Sequence, residues 1–97
     1  MDNEICNAIR NRNLLEFSYK GHPRVVEPHA YGMTPKGNEV LRGYQTKGTS
    51  ESGLVPDWRL FSINKIENLT VLNASFSQAR FGYKPGDSAM EDIYCEF

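Results

Sequence analysis

RVVEPHAYGMTPKGNEVLRGYQ, residues 24–45, decides how the rest of the chain is read. Two extended segments flank a tight turn. In an extended chain successive side chains point to opposite faces, so Arg24 shares a face with Val26 and not with Val25. Pro28 has no N–H for a ladder and ends or bends this segment. His29-Ala30-Tyr31 continues the extended path beyond it. Thr34-Pro35-Lys36-Gly37 matches a type I turn, with proline second and glycine fourth. Glu39 to Thr46 then returns as the partner strand. Leu41, Gly43 and Gln45 lie on one face of it, and Val40, Arg42 and Tyr44 on the other.

Upstream, Leu14 to Lys20 alternates as a strand. Leu15, Phe17 and Tyr19 point one way, and Gly21-His22-Pro23 breaks the run. Residues 3–12 form a short helix, with Ile5, Ala8 and Ile9 on one stripe, Asp2 or Asn3 as cap, and Arg10 and Arg12 at the C-terminal end of its dipole. So short a helix must dock on a neighbour.

Downstream, residues 47–57 hold Gly, Ser, Thr and Pro and read as the longest loop. Trp58 to Ile63 is a fourth strand and Ile66 to Leu72 a fifth. Phe76 to Tyr83 has no clear period. Lys84-Pro85-Gly86-Asp87 fits a type II turn. Ser88 to Asp92 reads as one capped helical turn and Ile93 to Phe97 as a terminal strand. One helix followed by five short, evenly spaced strands makes the chain mainly β, a small curled sheet or barrel.

The chain has 97 residues, which fits one domain with a single core. A formal net charge of −1 excludes a bulk polycation, so any footprint for nucleic acid is a local patch. The bases Lys20, Arg24, Lys36, Arg42, Lys47, Arg59 and Lys65 outnumber the acids in the middle. Asp87, Glu91, Asp92 and Glu96 make the end acidic. Cys6 and Cys95 are far apart with no C-x-x-C spacing, which reads as free or buried thiols in a reducing cytoplasm. No apolar run has membrane-spanning length, and the polar, acidic N-terminus does not read as a signal peptide. Two histidines and two scattered cysteines give no metal-ligand spacing, and no nucleophile is placed beside a base. No cofactor, metal or catalytic residue is expected.

Several stretches together resemble the WYL-domain family. The I-x-x-A-I helix is Ile5 to Ile9, followed by the extended segment ending in Tyr19. R-x-x-x-P is Arg24 to Pro28. The strand that names the family is Glu39-Val40-Leu41, continuing as Arg42-Gly43-Tyr44. R-x-F is Arg59 to Phe61, and Lys65-Ile66 is the basic-Ile pair. The resemblance covers residues 5–76, and residues 80–97 lie outside it. The signature Trp-Tyr pair is replaced by Glu39-Val40.

Membership implies a five-stranded SH3-like (Sm-like) barrel with a short N-terminal helix and a non-catalytic sensing role. WYL domains are usually fused to a helix-turn-helix domain. They are thought to sense nucleic-acid-derived ligands in transcription regulation, DNA-damage response and phage defence. The expected ligand is a nucleotide or single-stranded nucleic acid.

Arg24, Arg42 and Arg59 would grip phosphate, since a guanidinium offers a planar fork that holds it bidentately. His29 and Tyr44 would orient the ligand. Tyr31 and Trp58 are further stacking candidates, and Lys65 a further cation. The competing reading pairs these bases with Glu27, Glu39, Asp57 and Glu67. A second functional class is protein docking, in which the barrel edge or the tail residues Met90, Ile93, Tyr94 and Phe97 bind a separate partner or a second copy in a homodimer.

Overall fold

A computed structural model describes residues 2–51 and 53–97, apart from the side chain of Asp2. Met1, Ser52 and the capping assigned to the Asp2 side chain lie outside it. Helix α1 spans Asp2–Asn11. The strands are β1 Asn13–Tyr19, β2 His22–Met33, β3 Glu39–Gly48, β4 Asp57–Ser62, β5 Ile66–Ser75 and β6 Asp92–Glu96, with a 3₁₀ turn at Ile63–Lys65.

The six strands form one antiparallel sheet, five of them in the order β4-β3-β2-β1-β5 and β6 pairing β2 off this path. Five of these are the strands expected of the barrel, and the sixth, β6, is the expected terminal strand, which pairs with β2. The ends of the order, β4 and β5, do not pair, so the sheet is open where a closed barrel was expected. The 3₁₀ turn joins these two strands. Across the gap the Ser62 N–H donates to the Tyr19 hydroxyl at 2.9 Å.

β2 organises the sheet. β3 runs along one edge of it from Arg24 to Met33. The other edge is shared: β1 pairs with His22–Val26 and β6 with Ala30–Met33. Gly32 makes room for β6, since a Cβ there would collide with the Asp92 carbonyl oxygen.

Pro28 does not end β2. The register instead steps from Pro28↔Gly43 to Ala30↔Arg42, leaving His29 as the extra residue of a bulge. The step changes the parity of the strand. Val26 and Tyr31 are an odd number of residues apart, yet both enter the same core.

The hairpin between β1 and β2 is tighter than expected. Lys20 (φ 52°) and Gly21 (φ 77°) alone make the turn, and Tyr19 faces His22. Two positive φ values are the requirement of the two-residue turn that suits strand twist. Pro23 therefore lies inside β2, near its start, where its missing N–H does least damage.

One core lies between the sheet and α1. Ile5, Ala8 and Ile9 of the helix stripe meet Leu15, Phe17, Tyr19, Val26, Tyr31, Leu41 and Phe61. The Phe61 ring stands edge-on to Phe17 and to Tyr19, each at 5.0 Å. On the opposite face Ala30, Val40 and Met90 form a smaller cluster.

The longest irregular stretch is 76–91 and not 47–57, because β3 continues to Gly48 by pairing with Arg24 and Val25. Residues 88–92 form no helix; one turn closes by Met90 N–H to the Asp87 carbonyl at 3.1 Å. This covering segment crosses the face of the sheet away from α1, and its end leads into β6.

The cysteines are not free thiols. Cys6 of α1 and Cys95 of β6 form a disulfide that joins the two ends of the described chain. Sequence spacing hides the pair because β6 comes beside the helix only after the sheet is built. Among the described residues no helix is long and apolar enough to cross a membrane.

Candidate ligand pocket

The covering segment is held to the sheet by two arginine–carboxylate pairs. Arg80 donates from Nε to Glu27 Oε1 at 2.7 Å and from Nη2 to Oε2 at 3.1 Å. Arg42 donates from Nε to Asp87 Oδ2 at 2.7 Å and from Nη2 to Oδ1 at 3.2 Å. Two parallel charge-assisted bonds make each a planar, oriented clamp. The Arg42 hydrogen bonds hold the Asp87 carboxyl below its ordinary range; burial opposes them, and the Ala89 N–H adds to them.

His29 is the hub beneath the segment. Its Nδ1 lies 2.8 Å from the Glu27 carbonyl, and its Nε2 accepts the Arg80 backbone N–H at 3.1 Å. The first contact requires a proton on Nδ1 and the second a lone pair on Nε2, so the ring is the neutral Nδ1–H tautomer. Burial pushes its pKa down, against the opposing pull of the Glu27 carbonyl. The rings of Trp58, Phe76, Tyr83 and Phe97 surround it at 4.7–5.6 Å. The imidazole is wholly buried, both nitrogens are used within the fold, and His29 is not among the residues lining the pocket beside Trp58.

Between the segment and the β3–β4 face lies an open pocket of about 340 Å³, walled by Arg42 and Trp58 on one side and residues 82–88 on the other. Trp58 donates its indole N–H to the Phe81 carbonyl at 3.1 Å. The Tyr83 ring lies 6.5 Å from Trp58 and 24° from parallel. Its phenol pKa is raised, first by burial and then by Glu96 and Asp87, and the hydroxyl donates to the Phe97 carbonyl at 3.3 Å. Lys84 is an exposed wall residue. Arg42 has its Nη1 amine free of hydrogen bonds among the described residues.

The five residues singled out from sequence go to different places. Arg42 lines the pocket. Tyr44 lies beneath it, edge-on to Trp58 at 5.4 Å and under the Arg80 guanidinium at 4.8 Å. Arg24 is on the α1 side, 4% exposed, over the rings of Tyr19 and Phe61 at 5.1 and 5.6 Å. It donates to Gln45 Oε1 (3.3 Å) and the Tyr19 carbonyl (3.2 Å), and its Nε has no partner among the described residues. Burial, with Arg59 nearby, lowers its proton affinity. Arg59 serves the 49–56 loop, holding Ser50 Oγ at 3.0 Å, the Leu54 carbonyl and Asp57 at 3.4 Å.

The guanidinium groups thus divide between the two faces of the sheet and do not gather on one. Strand parity explains it: Arg59 alternates with Trp58, and the bulge sets Arg42 opposite Ala30. Of the expected carboxylate partners, only Asp57 forms an ion pair with one of these bases among the described residues, namely Arg59. Glu27 pairs with Arg80, and Glu39 accepts the Tyr31 hydroxyl at 3.0 Å. Lys65 lines a separate depression beside Gly37–Glu39.

Tyr83, Lys84 and Asp87 also line the pocket, and the sequence reading does not single them out. Their only local signal is the Lys84-Pro85-Gly86-Asp87 turn, which places a cation and a carboxylate at the two ends of one bend. Among the described residues no group of three or more His, Cys, Asp or Glu side chains is placed to hold a metal ion. Compared with family models, with curated proteins and with solved structures, the chain has no match in any of the three.

Proposed function

We propose that this domain is a non-catalytic sensing module that binds a nucleotide, or one exposed nucleotide of a single strand, in the pocket beside Trp58. The observation that supports this best is the meeting of the exposed Lys84 and the Asp87-paired Arg42, whose Nη1 is still open, with two rings, Trp58 and Tyr83, around one opening. An aromatic face is worth about 1–3 kcal/mol per stacked base, and cations beside it supply the phosphate's counter-charge. The opening is at the small end of ligand pockets, roughly 300–1,000 Å³, which suits one nucleotide unit and not a duplex. In this reading the curled sheet is an open SH3-like barrel and the chain a WYL-like domain, with its ligand contacts moved from the missing signature aromatics to Trp58 and the covering segment.

Titration with mononucleotides, followed by Trp58 emission and by calorimetry, tests it. Binding should weaken with added salt and be reduced by Lys84→Ala and Trp58→Leu. Absence of saturable binding by any mononucleotide or short single strand retires the proposal.

One observation favours a protein-docking reading beside it. Phe81 is fully exposed while its carbonyl is tied to Trp58, so the fold displays an aromatic side chain on a fixed backbone. The tail assigned to docking is partly consumed by the fold: Met90 is buried, and Phe97 stacks on His29. Light scattering of the wild type and Phe81→Ser tests self-association through this residue; a monomer in both excludes it.

A further inference from the structure

The disulfide sits one residue from the fastenings of the pocket wall. Cys95 is followed by Glu96, whose carboxylate accepts the Gly86 N–H at 3.1 Å. Phe97 comes next. Its carbonyl accepts the Tyr83 hydroxyl, its N–H donates to the His29 carbonyl at 2.7 Å, and its ring stacks on His29. Gly86 and Tyr83 both line the pocket. At the other end of the bond, Cys6 belongs to a helix seated in the core by Ile5, Ala8 and Ile9, each at most 2% exposed. β6 has five residues and, among the described residues, pairs only with β2, through Ala30–Met33. Both cysteines are half-buried, so the bond is within reach of a reagent.

We infer that the Cys6–Cys95 disulfide is a redox clasp on the pocket, fastening Glu96 and Phe97, and through them the Gly82–Asp87 wall, to α1. The inference rests on the pocket of the proposed function but not on the identity of its ligand. A dithiol reductant of the Cys-x-x-Cys or dithiothreitol type would open the clasp. One of its thiolates attacks a sulfur of the bond, and its second thiol resolves the mixed disulfide. The Cys6–Cys95 S–S bond breaks, the reductant's own S–S bond forms, and two protons pass to Cys6 and Cys95. The strand end then keeps its pairing with β2 and the Phe97 contacts to His29 but loses its covalent tie to α1.

The test uses the full chain, oxidised and after dithiothreitol treatment, with Cys6→Ser as a reagent-free counterpart. Trp58 is the chain's one tryptophan and touches the wall, so it reports directly. Reduction should shift its emission to the red and speed amide exchange at Gly82–Asp87 by roughly tenfold or more, while β1 and β2 amides keep their protection. ATP is the binding probe, and its affinity should fall with the same treatment. Unchanged emission and exchange in the reduced protein overturn the clasp. So does equal ATP binding in the two states, or loss of protection throughout the sheet, which would make the bond a global staple. Failure of ATP and the other nucleotides to bind in either state, with the emission and exchange changes present, removes the nucleotide reading and leaves the clasp standing.

Discussion

His29 Nε2 accepts the backbone N–H of Arg80 at 3.1 Å, across 51 residues of sequence. That bond is available only to a neutral imidazole. Protonation would turn the acceptor into a donor aimed at another donor, inside a ring of four aromatics.

Stability should therefore fall on the acid side in two windows. His29 has a folded pKa below its ordinary 6.5, so the unfolded chain takes up the proton first. Its contribution is complete above 6.5 and is lost as pH drops from there toward the folded value. Asp87 also has a lowered pKa, from an ordinary 3.8. Its contribution is complete above 3.8 and is lost as pH falls through the folded value. Urea unfolding across pH 3–8 checks this. His29→Phe should abolish the upper window and leave the lower one, whereas an upper window that survives would assign it elsewhere.

Glu27 is buried while its partner Arg80 is about half exposed, 6% against 47% for the side chains. Removing the arginine strands a desolvated carboxylate. Arg80→Ala should cost about 1–3 kcal/mol, less than a fully buried pair because water reaches the arginine side. Glu27→Gln should cost less than Arg80→Ala. Denaturant midpoints of the two single mutants and the double mutant measure the coupling.

Arg24 is a desolvated cation with no carboxylate within ion-pair distance among the described residues. Its packing over Tyr19 and Phe61 stabilises more than its charge does. Arg24→Met should cost at most about 1 kcal/mol or even stabilise, and Arg24→Ala about 2–4 kcal/mol through the cavity it opens. Neither should alter nucleotide affinity in the folded protein. A selective loss of binding in Arg24→Met would return this residue to the site.

Gly43 lies where a Cβ would run into Val26 Cγ1 and press on the Glu27 carbonyl at 3.2 Å. Gly43→Ala should destabilise by about 1–3 kcal/mol as overpacking in a dense strand pair. Val26→Ala in the same chain should recover part of that loss. Thermal melts of the three variants suffice, and simple additivity would show that the contact is not the cause.

Phe61 joins β4 to the α1-side core through two edge-on ring contacts. Phe61→Ala should cost about 3–5 kcal/mol, which for a domain this small approaches its whole stability. A folded variant with an unchanged melting temperature would mean that the core closes over the gap.

Alternation and turn chemistry in the sequence determined α1, the first five strands within a few residues, and the Thr34–Gly37 turn. These depend on neighbours a few positions apart. A terminal strand over Ile93 to Phe97 was also expected, and β6 lies there. Tertiary structure alone decided the rest. The bulge at His29 follows from fitting β1, β3 and β6 around one long strand, and it reverses which residues face which core. The partners of Arg42 and Glu27 come from a segment with no period of its own, 45 and 53 residues away. The Cys6–Cys95 bond spans 89 positions. Local pattern reports which face a side chain takes; which distant side chain meets it there depends on how the whole sheet curls and what crosses its face.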